Sequence, residues 1–470
     1  MNPELIRNLW LEMTPRRVVL APLALGLLFL ATATASDSAE VVGETADTLF
    51  FLIVILWGSW KAAHGVVGEI RDRTWDQQRL SSLEPWQMVW GKLFGATAFT
   101  WYCGLICLAV AGYYTIQISG PVSALYGFGQ LLTEGLGAHV VALYSSLLAV
   151  RRRQAGVSRL EVFIFTLAGI IAAWSIQGLW QFIRPDTFMA AMRNVDGDTA
   201  QGLVETVRWW QITFEATPFV LVSLAIFIGW GLLGCQRVMR IELMMRNWPF
   251  AWIAFLLFVG VYFTGFSEIE TDGARSAVRG LQWLTASSVY AFLVYASALF
   301  EPKDLVHYRW IGSRFLTGRL DQVLVSLPAW FFAYAALVVS GVGLMGTLDV
   351  GIVREALEYR PHVSADDVRN GIVAWLGFVA RDLAIFLFWN FLPGQRRGDI
   401  AALVTLLILW FGAPAIISGW GGAGAWLFIP SPTEPGLLGP AAAWAQAVIL
   451  WLIVASQSSL AANRTAASSA

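Results

Sequence analysis

Four ionisable residues sit where the sequence is otherwise apolar: Glu134 and His139 in one run, and the adjacent pair Arg381 and Asp382 in another. A charge in hydrocarbon is costly, so such residues line a path for a polar solute or pair with neighbouring helices. Both roles stay open for all four. Successive helical positions point about 100° apart, so Arg381 and Asp382 are expected to pair with other spans or to border a polar cavity. His139, a lone histidine, reads more simply as a satisfied packing residue. Lys61 and His64, at the end of an apolar run, are expected to snorkel towards water.

A second set has the chemistry of recognition rather than of bond making. Residues 68–92 read GEIRDRTWDQQRLSSLEPWQMVWGK, too polar for a span and too long for a tight turn. Within them stand Glu69, Arg71, Thr74, Asp76, Gln77, Leu83 and Pro85. Pro85 disfavours helix at Glu84, so the segment predicts an extension of the preceding span, a short helix, and re-entry at Gly91-Lys92. The order Asp76-Gln77, Ser82-Leu83, Pro85, Trp86 returns as Asp321-Gln322, Ser326-Leu327, Pro328, Trp330. Recurrence points to a docking surface used twice; an ordinary charged loop is the plainer alternative.

The elements that must position these residues are apolar runs of membrane length. The chain of 470 residues is 57% hydrophobic and 13% charged, with mean hydropathy +0.62, more apolar than a soluble fold with a polar shell requires. Twelve runs are expected to span, six in residues 1–235 and six in 236–470, the fifth over about 160–182 and the seventh over about 248–266. The predicted fold is an all-α polytopic membrane protein with twelve transmembrane helices in two six-helix repeats. An N-terminus inside keeps most of the 31 Lys and Arg in cytosolic segments, among them Arg151-Arg152-Arg153 and Arg396-Arg397. Both termini are then cytosolic, and an even number of spans per half makes the repeats parallel. A net charge of −1 offers nothing to nucleic acid.

Each half opens on an amphipathic stretch. In the first, Leu5, Ile6, Leu9, Trp10 and Met13 share a helical face, with Glu4, Arg7, Asn8 and Glu12 on others. This predicts an interfacial helix leading into an uncleaved first span, although Arg16-Arg17 and the Ala31–Ala35 stretch imitate a signal peptide. In the second, Val238, Ile241, Met244 and Met245 are spaced for one face beside Arg237, Arg240 and Arg246. Cys103 and Cys107 read as apolar packing, the tryptophans as interface anchors, and Gly91 with Gly95 as a small-residue pair that lets two spans approach.

The segment after the second run resembles the permeases of the ABC-2 type ABC transporter family. The resemblance is carried by Glu69, Thr74, Leu80, Leu83, Pro85 and Gly91-Lys92-Leu93, and by the opener, which is similar to the family's elbow helix. Arg73 stands where the family has glycine. In the second half Glu301, Gly318-Arg319, Leu324, Leu327 and Pro328 match more loosely. The resemblance implies a multi-pass permease of a bacterial cytoplasmic membrane, an exporter, whose coupling helices around Glu69–Pro85 and Asp321–Pro328 fit clefts on cytosolic ATP-binding subunits, two copies in all. The two halves would then be a fused pair of six-span units.

No P-loop follows from Gly91-Lys92, because Leu93 replaces Ser or Thr and no glycine lies five residues earlier, so ATP hydrolysis is expected in a separate subunit. Neither metal nor cofactor is expected. A major-facilitator-like secondary transporter also has twelve spans in parallel halves, and Gly68 with Asp72-Arg73 matches the start of its loop motif before Thr74-Trp75-Asp76 departs from it. A membrane-embedded enzyme would need clustered His, Asp or Glu, whereas His64, His139, His307 and His362 are scattered. The substrate is left open.

Overall fold

A computed structural model describes residues 2–36, 38–72, 74–80, 83–152, 166–174, 206–245, 247–266, 275–347, 364–392, 398–419, 424–430 and 436–468. The chain forms two compact units, Met1–Val207 with Ile212–Asn247, and Arg208–Gln211 with Trp248–Ala470.

The first unit opens on α1 (Pro3–Glu12), whose entry is set by Pro3 at the first helical position and by the Asn2 side chain, which accepts from the Glu4 and Leu5 amides. After α2 (Pro15–Ala35), α3 (Ala39–Phe50) runs through a π-helical stretch, Phe51–Trp57, into α4 (Gly58–Arg71). Two short helices follow, α5 (Trp75–Arg79) and α6 (Pro85–Trp90), and a second π-helical stretch, Gly91–Gly95, leads to α7 (Ala98–Ser119). Gly120, at φ +86°, makes a turn that an L side chain rarely adopts, and Pro121 starts α8 (Pro121–Arg152). Residues 166–174 are helical. Strands β1 (Thr206–Trp209) and β2 (Ile212–Glu215) pair through Trp210 and Gln211, both at positive φ, before α9 (Ala216–Glu242).

The second unit contains α10 (Phe250–Thr264), α11 (Arg275–Phe300), α12 (Leu305–Leu316), α13 (Leu320–Ser326), α14 (Ala329–Thr347) and α15 (Ala365–Phe391). Next come α16 (Gly398–Leu407), a π-helical Ile408–Gly412, α17 (Ala413–Gly419), a 3-10 turn at Ala425–Leu427 and α18 (Leu438–Ser468).

Ten described helices are long and apolar enough to cross a membrane. The chain is a polytopic helical membrane protein. Of the twelve expected runs, the fifth is described only over 166–174, and the seventh gives α10, a helix of 15 residues bounded by Pro249 and Gly265. The hairpin is a small departure from a purely helical fold.

The expected opener of the second half does not stand as a separate helix. Residues 236–242 are the last turns of α9, with Gln236, Val238 and Met239 buried, and the chain turns only at Met244, where φ is +57°. No Gly or Pro interrupts that stretch, and Arg240 in the final turn complements the helix C-terminus, so one helix simply continues. The arginine expected at 246 lies outside the described residues.

One span lies at the centre of each unit. In the first, 61% of the apolar window of α8 is buried, against 11% for α2. Phe50, Val54, Cys103, Cys107 and Ala138 form one apolar cluster, and Val66, Met88, Leu93, Leu143 and Met239 another. In the second unit 83% of the window of α15 is buried, and Val379, Leu383, Phe386 and Leu387 pack with Leu337 of α14 and Val454 of α18. These two central helices carry Glu134, His139, Arg381 and Asp382.

Candidate functional site

Lys92 is almost wholly buried, 1% exposed, in the π-helical stretch that leads into α7. A bare ammonium there would be untenable, so its partners determine the local fold. It pairs with Glu69 Oε2 at the end of α4, donates to Gln78 Oε1 of α5 at 3.0 Å, and faces Glu4 Oε1 of α1 at 3.4 Å. The Trp75 ring lies 5.2 Å away. Arg7 Nη2 bridges the two carboxylates, 3.0 Å from Glu4 and 2.5 Å from Glu69, and Gln78 Nε2 donates to Glu69 Oε1 at 2.6 Å. Two cations thus balance two anions, with an amide serving both signs.

The amphipathicity of α1 is turned towards this knot. Its polar stripe faces protein: Glu4 on Lys92, Asn8 Nδ2 on the Gly91 carbonyl at 3.1 Å, and Glu12 on Lys61 at 2.7 Å and Arg17 at 3.0 Å. Ile6, Leu11 and Trp10, the last 81% exposed, point outward. Lys61 is therefore held by Glu12 rather than snorkelling. Gly91 and Gly95 seat this helix rather than another span, since a Cβ on Gly91 would collide with Glu4 Cγ and one on Gly95 would lie 2.6 Å from Asn8 Cβ.

Of the residues expected in the first coupling segment, Glu69 is inside the knot and Thr74 is beside it, its amide donating to the Glu69 carbonyl at 2.9 Å. Pro85 is buried at the start of α6, where the Glu84 amide donates to Gln87 Oε1 at 3.2 Å, and Leu83 is half-buried. Arg71, Asp76, Gln77 and Leu80 are exposed on the outer rim. Arg79 Nε donates to the Glu242 carbonyl at 2.9 Å, fastening α5 to α9.

The corresponding segment of the second unit is built differently. Asp321 is exposed, Gln322 and Leu327 are half-buried and Pro328 is buried. Glu301 Oε2 accepts from the Ala329 amide at 2.9 Å, capping α14, and the buried Lys303 pairs with Asp399 of α16 at 2.8 Å. Asn390 Nδ2 adds a 3.1 Å bond to the same carboxylate. The Tyr308 hydroxyl accepts from Trp330 Nε1 at 2.9 Å, and burial pushes it up, so it stays neutral.

The intramembrane residues fall into one group per unit. His139 is fully buried, its Nε2 2.7 Å from the Val54 carbonyl in the first π-helical stretch, where the displaced ladder offers an acceptor. Its ring meets the edge of Trp101 at 5.4 Å, and Gly58 is required opposite because a Cβ would strike the imidazole. Glu134, also buried, accepts from Gln130 Nε2 at 3.0 Å.

Arg381 and Asp382 pair with each other as well as with other elements. Arg381 Nε lies 2.9 Å from Asp382 Oδ1, because the long side chain folds back on its neighbour. Asp382 Oδ2 accepts from Tyr295 at 2.8 Å and from Trp410, in a π-helical stretch, at 2.7 Å. Arg381 Nη1 donates to the Phe428 carbonyl and to Gln446 Oε1, each at 3.2 Å, and Gln446 Nε2 donates to the Leu427 carbonyl at 2.7 Å. Two carbonyls of the Gly424–Pro430 segment are thereby satisfied by side chains of α15 and α18.

Sequence reasoning singled out Glu69 but missed Glu4, Arg7, Gln78 and Lys92 as its partners. One signal was available: a lysine two residues after Trp90 and directly before Leu93-Phe94 has an apolar setting that demands a counter-charge. The chain matches no family model, no curated protein and no solved structure.

Proposed function

We propose that this chain is the membrane-spanning subunit of an ATP-driven exporter of the ABC-2 type, with twelve spans in two parallel six-span halves and both termini in the cytosol of a bacterial cell. The observation that carries the reading is the Lys92 knot, which joins α1, α4, α5 and the entry to α7 at one end of the unit. A push on the rim formed by Arg71, Asp76, Gln77 and Leu80 reaches two spans through buried ion pairs rather than through a slack loop. The distribution of Lys and Arg supports a cytosolic position for that rim, where separate ATP-binding subunits would dock. The Asp321–Pro328 segment provides the second docking element.

Co-expression with ATP-binding cassette subunits from neighbouring genes tests this. The wild-type chain co-purifies with an ATPase, and Asp76→Arg with Leu80→Arg lowers the yield of complex several-fold while the chain keeps its melting temperature. A chain that retains the ATPase despite both substitutions counts against the role. The buried Arg381–Asp382 pair favours a second reading, transport driven by an ion gradient. Uptake into liposomes containing this chain alone, without ATP, would select it.

A further inference from the structure

A groove of about 420 Å3 lies between α1 and α6, lined by Asn2, Leu5, Trp86, Gln87, Trp90 and Phe94. One wall is an aromatic stair. Trp86 stacks on Trp90 with centroids 6.3 Å apart, and Trp90 on Phe94 at 5.1 Å, at successive four-residue steps along α6 and the π-helical stretch. Leu5 of α1 is the opposite wall. Asn2 Nδ2 donates to the Gln87 carbonyl at 2.7 Å, which takes up both groups and leaves the open lining almost wholly apolar.

What fills such a groove follows from where it lies. Helix α1 is bound to the protein by its charged stripe and turns Ile6, Trp10 and Leu11 outward, a face that only an apolar medium satisfies. Indoles in this position favour the level of the lipid carbonyls, with apolar chain beyond. The open lining of the groove is apolar and mostly aromatic, which matches a hydrocarbon chain rather than a polar solute.

We propose that the groove between α1 and α6 is a binding site for one acyl chain of a phospholipid in the leaflet where α1 lies. The chain lies along Trp90 and Phe94 under Leu5. An occupant here braces α1 beside the Lys92 knot, so lipid composition tunes how firmly the helix is seated. The site does not depend on the docking role proposed above.

Photo-crosslinking tests it. The full-length chain is reconstituted in vesicles containing phosphatidylglycerol with a diazirine in its acyl chain, and adducts are mapped by peptide mass spectrometry. Adducts are expected on Leu5, Trp90 and Phe94 in several-fold excess over Leu452 and Ile453, exposed residues of α18 outside the groove. Leu5→Trp fills the groove and removes the excess, leaving the α18 labelling unchanged. Phe94→Ala shortens the far wall without touching α1 and lowers labelling at Trp90. Even labelling of both faces overturns the proposal, as does an excess that survives both substitutions in chains with the wild-type melting temperature.

Discussion

Lys92 and Glu69 show how differently two charges in one segment behave. Losing one member of a buried ion network strands its partners, which costs about 3–5 kcal/mol. Lys92→Met is therefore expected to lower the melting temperature of the detergent-solubilised protein sharply, and Glu69→Ala to do so in the same direction. Arg71→Ala, two residues away on the exposed rim, should leave stability within about 0.5 kcal/mol while still affecting ATPase association. Equal melting temperatures for Glu69→Ala and Arg71→Ala would refute the assignment of Glu69 to the knot. Sequence alone grouped these two residues, because adjacency along the chain says nothing about which way each side chain turns. It did place Arg381 and Asp382 within a span, paired with other spans or bordering a polar cavity, and the structure shows both buried and bonded to other elements. Their ties to Tyr295, Trp410, Phe428 and Gln446 were illegible, being contacts across 28 to 87 positions.

The segment Gly424–Pro430 depends on side chains from two helices, and removing Arg381 takes away one of its two supports. Arg381→Ala is expected to expose it: a Phe428→Cys probe reacts with a maleimide several-fold faster in that background than in wild type. An unchanged rate would mean that Gln446 holds the segment alone. For α1, Gly91→Ala pushes a methyl into Glu4 and should unseat the helix, seen as new proteolysis within the first 13 residues. Amphipathic periodicity forecast α1 correctly but misread 236–245, where the same pattern belongs to the end of α9. Period alone reports a helical face, and only a Gly, a Pro or a cap reports where a helix begins. Likewise the Gly91-xxx-Gly95 spacing announced a close approach without naming what approaches.

The two units share an arrangement in which a central helix, α8 or α15, carries buried polar groups to a π-helical turn: His139 to the Val54 carbonyl, and Asp382 to Trp410. The spans were legible because hydropathy is a local property of about 20 residues. Their orientation is a matter for labelling. With Asp76→Cys and Asp321→Cys, a membrane-impermeant maleimide is expected to leave both sites unmodified in whole cells and to modify both in inverted vesicles. Opposite behaviour of the two sites would break the parallel arrangement of the halves. The three native cysteines are buried, so background labelling is low.

The reversed face of α1 also sets a timetable. Glu4 and Lys92 are 88 positions apart, so α1 cannot lock until the entry to α7 has been synthesised. At 5–20 residues per second that is a wait of roughly 4–18 s, during which Glu4 has only its helical neighbours Arg7 and Asn8, water or headgroups for partners. Helix α1 is thus made well before its partner and is seated only once Lys92 is in place, ahead of the central α8.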